Sequence, residues 1–467
     1  MSPDETAPPR LPAHGRVHLV GAGGAGMSAL ATVLLERGRA VSGSDVRAGR
    51  ALEALQALGA QVHVGHDAAH VEGAAVVVAS TAVPAHNPEV AAARAQGLPL
   101  LTRAELLAAL LEDHRALLVA GSHGKTTTTA MLTVMLQAAG LDPSFAIGGT
   151  LHDAGTSAHH GSGPHFVAEA DESDGSFLVY RPTVAVVTNV ELDHHDRWGS
   201  LEELTEAFRR FLERRVEGGL AVLGADDAQA RALADQARPP RRTVGEAADA
   251  DVRVHDVQAG PQGSTFRLTG AGWQGERLGL SLPGRHNVAN AAAAAVAAQA
   301  AGAAPEAIRA GLEAYRGTQR RFQLVGRVGA VTVVDDYAHH PTEVAAALQA
   351  ARQTQPEGRV LAVFQPHLYS RTAALAEDFG VALAGADLAV LTDVYGARED
   401  PVPGVTGELV ADAVAAAGGE ARSVPAVSAV PATVADLARP GDLVLTIGAG
   451  DITEAGPQIL AELERRR

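Results

Sequence analysis

The chain carries a strand–turn–helix pattern at residues 116–136, which read ALLVAGSHGKTTTTAMLTVML. The run ALLVA is typical of a buried strand, small residues follow at Gly121 and Gly124, and a helical pattern begins at Lys125. A helix N-terminus carries about half a positive charge, and together with nearby backbone N–H groups it attracts phosphate oxygens. The pattern therefore predicts a phosphate-binding loop, with Lys125 on the β- and γ-phosphates of a nucleotide and the Thr126 hydroxyl beside Mg²⁺.

Lys125 is the only lysine among the 38 basic residues of the chain; the others are arginines. A lysine ammonium is a compact point charge that fits between phosphate oxygens, whereas the arginine guanidinium is a wide planar fork. The loop has two residues between its glycines, instead of the four of the usual phosphate-loop motif. The lone lysine nevertheless favours phosphate binding over a turn that only caps a helix.

Composition limits the classes of protein to which the chain can belong. Its 467 residues predict about three domains at roughly 150 residues each, and 46% apolar residues are enough to build their cores. The net charge of −16, with no basic stretch, argues against nucleic-acid or membrane-surface partners. The absence of cysteine excludes disulfides, thiolate metal sites and cysteine nucleophiles. No secretory pattern is visible, so we expect a soluble cytoplasmic protein.

The order of apolar and helical segments predicts an α/β fold with three domains. Strands alternate with helices in residues 1–112, which predicts a Rossmann-like domain built from parallel βαβ units. Residues 113–318 are expected to form a central domain of the phosphate-loop ATPase type, with a mostly parallel sheet. Within it, residues 240–282 are rich in Gly and Pro and predict a small antiparallel side sheet. Residues 319–467 repeat strand, loop and helix, which predicts a second Rossmann-like domain.

A second glycine-rich loop follows the first predicted strand. Residues 21–26 read GAGGAG, and Asp45 lies 19 residues beyond Gly26 at the end of the second strand. This spacing is typical of a loop that holds a diphosphate, with the acidic residue on the ribose. The pattern is compatible with both NAD and a UDP-sugar, because each presents a diphosphate and a ribose.

Two polar motifs of the central block follow buried strands and predict a metal site. The motif AEADESD places four carboxylates at Glu169, Asp171, Glu172 and Asp174. Such groups repel one another at a buried strand end unless a cation neutralises them, and Mg²⁺ prefers oxygen ligands of this kind. The next motif, TNVELDH, offers Asn189, Asp193 and His194 as further donors.

The third block carries its unusual polar residues just after its predicted strands. The four motifs are DDYAHHPTE at 335–343, QPHLYSRT at 365–372, TDVYGARED at 392–400 and GAGD at 448–451. The carboxyl ends of parallel strands meet at one edge of a sheet, where ligands bind in open α/β folds. We therefore expect this block to contribute to an active site.

Taken together, these motifs resemble the Mur ligase family. In chain order they are GAGGAGMSAL, GSHGKTTTT, AEADESD, TNVELDH, LPGRHNVAN, RRF, DDYAHHPTE, QPHLYSRT and GAGD. The resemblance covers nearly the whole chain. It implies an ATP-dependent ligase that uses Mg²⁺ and joins L-alanine to the carboxylate of UDP-N-acetylmuramate, through an acyl phosphate, in peptidoglycan precursor synthesis. It also implies that the first block holds a UDP-sugar rather than NAD.

The resemblance implies roles for individual residues. It places ATP on Gly121, Ser122, His123, Gly124, Lys125, Thr126, Thr127, His286, Asn287, Asn290, Arg321 and Asp336. It places the UDP-sugar and the amino acid on Gly21, Gly23, Gly24, Gly26, Asp45, Ser80, Thr81, His340, His367 and Arg371. It makes Thr126, Glu169 and His194 the metal ligands, and so favours Glu169 over Glu172. It implies a catalytic set of Lys125, Glu169, Asn189, His194, His367 and Arg371.

Other interpretations stay open at this stage. A murein tripeptide ligase would use the same UDP-sugar with a recycled tripeptide as acceptor. A non-catalytic nucleotide sensor would bind nucleotide without consuming ATP in response to alanine and the UDP-sugar. An NAD-dependent dehydrogenase would explain GAGGAG but leave Lys125 and the third block without a role. The resemblance implies small-molecule partners and a monomer or weak homodimer, and the single lysine excludes the carbamylated lysine of several Mur ligases.

Overall fold

The computed structural model describes residues 10–152, 154–194 and 197–467. Strands and helices alternate along this part of the chain, and the strands form three mostly parallel sheets. The predicted α/β class with three domains is confirmed, whereas the boundaries near residues 112 and 318 stay predictions. None of the helices described is both long enough and apolar enough to cross a membrane.

The first sheet is fully parallel. Its strands are β1 (Arg16–Val20), β2 (Val41–Asp45), β3 (Gln61–Val64), β4 (Ala74–Ala79) and β5 (Leu100–Thr102). They lie in the order β3-β2-β1-β4-β5, so that the buried strand β1 is central. The strand order reverses next to β1, and Rossmann-like sheets bind nucleotides at such a point. The GAGGAG loop follows β1 and therefore lies where the sequence predicts it.

The second sheet combines a parallel part with an antiparallel hairpin. Its strands are β6 (Arg115–Ala120), β7 (Ser144–Ala146), β8 (Ala158–His159), β9 (His165–Glu169), β10 (Val184–Val187), β11 (Leu220–Gly224), β12 (Arg241–Gly245), β13 (Val252–Gly260), β14 (Gly263–Gly270) and β15 (Trp273–Leu280). Their order is β15-β14-β13-β12-β11-β10-β6-β9-β7-β8. From β13 to β7 in this order, each strand pairs with the next in parallel. The pair β14–β15 is antiparallel. The antiparallel strands predicted within residues 240–282 are thus present, but they extend the parallel sheet and do not form a separate one.

The third sheet is parallel except at one edge. Its strands are β16 (Gln323–Val328), β17 (Val331–Asp336), β18 (Val360–Phe364), β19 (Leu388–Leu391), β20 (Ala421–Ser423) and β21 (Leu443–Ile447), in the order β16-β17-β21-β18-β19-β20. The four strands predicted from apolar runs, β17, β18, β19 and β21, are all present. The antiparallel edge strand β16 was not predicted, because its residues are half-buried or exposed and form no apolar run.

The helices fill the segments between these strands. They are α1 (Ala25–Glu36), α2 (Arg50–Ala57), α3 (Pro88–Ala95), α4 (Arg103–Leu111), α5 (Lys125–Ala138), α6 (Leu201–Glu213), α7 (Ala228–Gln236), α8 (Arg285–Ala300), α9 (Pro305–Ala314), α10 (Pro341–Thr354), α11 (Tyr369–Leu383), α12 (Gly407–Ala416), α13 (Val430–Leu437) and α14 (Ala455–Arg465). Gly140 follows α5 in the left-handed region, at φ +69°, and ends the helix. The alanine-rich helix α8 is buried, as expected for a core helix.

The described residues divide into two compact units. Unit 1 comprises the residues up to Glu191 together with 202–253 and 291–314. Unit 2 comprises residues 192–201, 254–290 and 315–467. The GAGGAG loop, the phosphate loop and the AEADESD motif therefore all belong to unit 1, whereas the strand-end motifs of the third sheet belong to unit 2.

Candidate active site

The phosphate loop lies between β6 and α5 and depends on glycine for its path. Gly121 has a φ of +131° and Gly124 a φ of +83°, both in the left-handed region. A Cβ atom at Gly121 would lie 2.1 Å from the Thr188 hydroxyl oxygen, so no side chain fits there. The chain can consequently turn from the buried strand directly into the N-terminus of α5, as the sequence predicts.

The segment after β10 holds this loop in place. Ser122 Oγ donates to the Glu191 carbonyl at 2.7 Å and accepts the Glu191 N–H at 2.9 Å. Asn189 Oδ1 accepts the His123 N–H at 2.9 Å, and its Nδ2 donates to the His123 carbonyl at 3.0 Å. The His123 ring lies 2.9 Å from a Glu191 carboxylate oxygen. Asn189, predicted to lie near a metal, thus uses its amide to fix the backbone of the loop.

Lys125 lies in a cage of oxygen atoms. Its Nζ donates to both carboxylate oxygens of Glu172, at 2.8 and 2.9 Å, and to the carbonyls of Gly121 and Ser122, at 2.7 and 3.2 Å. Burial lowers the pKa of Lys125, but the charges of Glu172, Asp171 and Glu169, together with the hydrogen bond to Glu172, outweigh it, and the pKa lies above its ordinary value. Burial likewise raises the pKa of Glu172 above its ordinary value, against the effect of Lys125. A bound triphosphate would therefore compete with Glu172 for the ammonium.

Glu169 lies at the end of β9, beside the first turn of α5. Its Oε2 accepts the Thr126 hydroxyl at 3.1 Å, and its Oε1 accepts the Gly148 N–H at 2.6 Å. Thr127, the next residue of the helix, is buried. The structure therefore pairs Thr126 with Glu169 and Lys125 with Glu172, and so gives the two glutamates of the AEADESD motif different partners.

The GAGGAG loop is organised by the end of β2. The N–H groups of Gly21 and Ala22 both donate to the Ser44 carbonyl at 2.9 Å, and the Gly23 N–H donates to Asp45 Oδ2 at 2.9 Å. Gly24 closes the turn by donating to the Gly21 carbonyl at 3.3 Å, just before α1 begins. The backbone thus places the glycines and the predicted ribose-binding Asp45 together.

The turn after β4 joins the same edge of the first sheet. Ser80 follows the strand directly, and its N–H donates to the Val20 carbonyl at 3.2 Å. A Cβ atom at Gly21 would lie 3.2 Å from Ser80 Cβ, so the serine stands against the glycine loop. Thr81 comes next in the turn and is exposed. The predicted substrate-binding residues of unit 1 therefore share one sheet edge.

In unit 2, Arg371 and Asp193 form a buried ion pair. The Asp193 Oδ1 atom accepts from Arg371 Nη2 at 2.9 Å and Nε at 3.2 Å, and both side chains are almost fully buried. Burial raises the pKa of Asp193, but the Arg371 charge, the nearby His194 and His339 and the His194 N–H together outweigh it and hold the pKa well below its usual range. His194 is in the left-handed region, with φ +56°, and its N–H donates to Asp193 at 2.7 Å. The structure thus brings Asp193, His194 and Arg371 together in one cluster.

Two histidines lie near this cluster. The His367 ring stacks on Tyr395 at a centroid distance of 5.8 Å and meets the His339 ring edge-on at 6.2 Å. Burial lowers the pKa of both His339 and His367 to about 4, so both rings are neutral at pH 7. His340 is buried and occupies the N-cap position of α10.

The end of β17 carries a second polar cluster in unit 2. Asp336 accepts the N–H groups of Phe322 at 2.7 Å and Ala338 at 2.8 Å. Burial raises its pKa to about 6, although the charge of Arg321 acts in the opposite direction. The Arg321 guanidinium lies 5.1 Å from the centre of the Tyr337 ring. Arg321 and Asp336, predicted to approach ATP, are therefore neighbours.

Three of the predicted ATP-binding residues, His286, Asn287 and Asn290, lie at the start of α8. Asn287 is buried, and its Nδ2 donates to the Pro283 carbonyl at 2.7 Å. Asn290 is also buried one turn later, whereas His286 is exposed and folds back over Gly284. The amide of Asn287 thus holds the turn that starts the helix, and the imidazole is the more accessible of these side chains.

Comparison with known proteins identifies the family. Three family models match the chain. They are "Mur ligase family, catalytic domain" over residues 16–115, "Mur ligase middle domain" over residues 119–298 and "Mur ligase, glutamate ligase domain" over residues 320–450. The chain belongs to the Mur ligase family. A UDP-N-acetylmuramate–L-alanine ligase of Saccharopolyspora erythraea is 53% identical over 459 residues, which cover 96% of this chain and 94% of that protein.

Further relatives extend this Mur ligase assignment. An enzyme of the same name from Kineococcus radiotolerans is 53% identical and covers 97% of each chain. The crystal structure of UDP-N-acetylmuramate-alanine ligase from Thermotoga maritima superposes with a TM-score of 0.83 at 28% identity, over 97% of this chain and 100% of that one. A murein peptide ligase from Psychrobacter arcticus, at 24% identity and a TM-score of 0.71 over 96% of this chain and 99% of that one, shares the fold.

Three residues beside the predicted site residues, Tyr337, Tyr395 and Arg103, were not predicted from the sequence. Tyr337 and Tyr395 lie inside the quoted motifs DDYAHHPTE and TDVYGARED, so their aromatic side chains were a signal that could have been used. Arg103 lies outside every quoted motif, next to the glycine loop and the AEADESD motif only in the folded chain. The roles predicted for individual site residues stay predictions.

Proposed function

We propose that this chain joins L-alanine to the carboxylate of UDP-N-acetylmuramate, with conversion of ATP to ADP and phosphate, in peptidoglycan precursor synthesis. The similarity to UDP-N-acetylmuramate–L-alanine ligases over nearly the full chain carries the proposal. Unit 1 supports it, because it combines a glycine loop for a diphosphate with a phosphate loop that bears the only lysine. We further propose that the protein acts in the cytoplasm on small-molecule substrates, as a monomer or weak homodimer.

The first step activates the carboxylate. A muramyl carboxylate oxygen attacks the γ-phosphorus of ATP, the bond to the β,γ-bridging oxygen breaks, and ADP leaves an acyl phosphate behind. A carboxylate is a poor acylating agent, since its leaving group would be oxide, and phosphate leaves far more readily. Lys125 neutralises charge on the transferred phosphoryl group in place of its contact with Glu172. The backbone N–H groups at the start of α5 add to this effect.

The residues beside the loop fit a magnesium ion. The Glu169 carboxylate and the Thr126 hydroxyl lie within hydrogen-bond distance of each other, and these are the oxygen donors that Mg²⁺ prefers. They would hold the ion, which supplies charge neutralisation for the phosphate oxygens when bound. His194, next to Asp193 in unit 2, stays a predicted metal ligand.

The second step forms the amide bond. The neutral amine of alanine attacks the acyl carbon, a tetrahedral intermediate forms, and phosphate leaves with the electrons of the carbon–oxygen bond. Arg371 holds Asp193 through Nε and Nη2, which leaves Nη1 to bind the carboxylate of alanine. His367 holds a proton poorly, because its pKa lies near 4. His194 and the acidic side chains of the AEADESD motif are the other candidates for the acceptor of the amine proton.

Phosphate release with each acceptor in turn tests the proposal. Purified protein is supplied with Mg²⁺, ATP and UDP-N-acetylmuramate, and then with L-alanine, glycine, L-serine or the tripeptide L-Ala-γ-D-Glu-diamino acid. The proposal requires phosphate release that depends on both the UDP-sugar and L-alanine. Preference for the tripeptide would establish the alternative that the fold shared with murein peptide ligase raises. Nucleotide binding without any acceptor-dependent release would identify a nucleotide sensor.

A further inference from the structure

Arg103 is a cation of unit 1 to which neither the motifs nor the proposed mechanism gives a task. It is the first residue of α4, and the preceding Thr102 caps that helix. Thr102 Oγ1 accepts the Glu105 N–H at 3.2 Å, and Glu105 Oε2 accepts the Thr102 N–H at 2.7 Å. This capping box fixes the start of α4 and therefore the direction in which the Arg103 side chain leaves the backbone.

The Arg103 side chain spans the two loops of unit 1. A Cβ atom at Gly26, the last glycine of GAGGAG, would lie 3.0 Å from Arg103 Cδ and 3.6 Å from its Nε and Nη1. The other end of the guanidinium lies 3.9 Å, Nη2 to Oδ2, from Asp171 of the AEADESD motif. The next residue, Glu172, holds Lys125. One cation thus stands between the glycine loop and the groups around the lysine of the phosphate loop.

The Arg103 guanidinium is partly buried, yet its contact with an acidic partner is weak. Its side chain is 24% exposed, and the Asp171 contact of 3.9 Å is longer than a hydrogen bond. In the part of the chain that the structure describes, Asp171 is its only ion-pair partner. A guanidinium has five N–H donors in a planar fork that matches a carboxylate. Its position and its unused donors make Arg103 a ready ligand for an anion of a substrate.

We propose that Arg103 binds the lactyl carboxylate of UDP-N-acetylmuramate and holds it for attack on ATP, an inference that rests on the proposed function. In that reaction the UDP-sugar must reach from its diphosphate in the glycine loop to the γ-phosphate at Lys125, and Arg103 lies between the glycine loop and the AEADESD motif. Two anions must also approach each other, which a guanidinium at this position makes easier by neutralising the carboxylate. Asp171 orients the guanidinium while the carboxylate is absent.

Binding of two UDP-sugars separates this role from a contact with the diphosphate. UDP-N-acetylglucosamine has the same nucleotide, diphosphate and amino sugar but lacks the lactyl carboxylate. Calorimetric Kd values are measured for both ligands with the wild type, Arg103→Gln and Arg103→Lys. For Arg103→Gln, we expect binding of UDP-N-acetylmuramate to weaken roughly 10- to 100-fold, and binding of UDP-N-acetylglucosamine to change less than about threefold. Arg103→Lys should restore part of the loss.

The controls separate each outcome. Arg94→Gln removes an exposed arginine of α3 and should leave both Kd values at wild-type level. Retained binding of UDP-N-acetylglucosamine by Arg103→Gln shows that unit 1 is still folded. Equal weakening for both sugars would assign Arg103 to the diphosphate and overturn the proposal, and unchanged binding of UDP-N-acetylmuramate would overturn it too. Failure of the wild type to bind UDP-N-acetylmuramate would instead overturn the proposed function.

Discussion

Lys125 is the residue on which the proposed chemistry of unit 1 depends, because its ammonium lies in the phosphate loop and contacts the Glu172 carboxylate that a bound phosphate would have to displace. We expect Lys125→Ala to lower kcat by roughly 10²–10³, the scale for removal of one charge-stabilising donor. Lys125→Arg should restore little of this loss. The Nζ atom is enclosed by two backbone carbonyls and by Glu172, and that space suits an ammonium and not a planar fork. Acceptor-dependent phosphate release under saturating substrates measures both effects.

The thermal unfolding of Lys125→Ala and Lys125→Arg is measured as well, to show whether each variant is still folded. Glu172 is buried and loses the neighbouring cation when Lys125 is replaced by alanine, so the double variant Lys125→Ala with Glu172→Gln serves as control for a buried carboxylate without that cation. Turnover near the wild-type value in Lys125→Ala would remove the phosphate loop from the reaction. Full activity in Lys125→Arg would show that the position needs only a positive charge.

The two glutamates of the AEADESD motif form a matched pair for a test of the metal site. Glu169 contacts Thr126, whereas Glu172 contacts Lys125. We expect Glu169→Gln to raise the Mg²⁺ concentration needed for half-maximal activity by about tenfold or more, because it removes a charged oxygen ligand. Glu172→Gln should change this concentration much less. Titration with Mn²⁺ followed by electron paramagnetic resonance supplies a direct binding measurement, and equal effects of the two variants would contradict the assignment.

At the scale of elements, Glu89 joins the strands of the first sheet to α3. It is fully buried, and its oxygens accept from Ser44 of β2 at 2.5 Å and lie 2.6 Å from His70 Nδ1, 3.2 Å from His66 Nδ1 and 3.5 Å from His18 Nε2. The Ser44 carbonyl in turn accepts two N–H groups of the glycine loop. Through Ser44, the Glu89 carboxylate therefore stabilises the backbone conformation of the GAGGAG loop.

The stability that Glu89 contributes should depend on pH. Burial raises its pKa, but the nearby imidazole of His18 and the hydrogen bonds with Ser44 and His70 outweigh this and lower it to about 2. A carboxylate with a lowered pKa stabilises the fold above its ordinary pKa of about 4.5, and that contribution is lost as pH falls towards 2. Glu89→Gln should therefore melt below the wild type at pH 7, at a cost of roughly 3 kcal/mol. The difference in stability between the wild type and Glu89→Gln should become smaller as the pH is lowered from 5 to 3.

Calorimetric melting of the wild type, Glu89→Gln and Glu53→Gln across this pH range checks the prediction. Glu53 is an exposed glutamate of α2, and its replacement should leave the melting temperature almost unchanged at every pH. A difference between the wild type and Glu89→Gln that widens as the solution is acidified would contradict the role given to the carboxylate.

Elements were predictable where one local pattern determines them. The strands β6, β10 and β18 are buried on both faces of parallel sheets, so they appear in the sequence as continuous apolar runs. The strands β5, β16 and β20 are half-exposed, and no such run marks them. The phosphate loop was predictable for a similar reason, since its glycines, lysine and threonines are adjacent. The Glu89 network was not, because its members come from four separate segments.

At the scale of the whole molecule, the chemical groups divide between the two units. Unit 1 holds the glycine loop, the phosphate loop and Arg103, which are the groups that the proposed activation of the carboxylate requires. Unit 2 holds the Arg371–Asp193 pair and the neutral histidines His339 and His367. If Arg371 binds the amino acid, its loss should impair the second step and spare the first.

Hydroxylamine trapping separates the two steps, because it converts an acyl phosphate into a hydroxamate without any amino acid. We expect Arg371→Gln to raise the KM for alanine roughly 10- to 100-fold, the value of a charge-assisted hydrogen bond, while hydroxamate formation from ATP and UDP-N-acetylmuramate stays within about threefold of the wild type. The single variant leaves Asp193 buried without its partner, so the double variant Arg371→Gln with Asp193→Asn is measured beside it. Parallel loss of hydroxamate formation and ligation in the double variant would mean that Arg371 serves the activation step, and the division of the reaction between the units would be wrong.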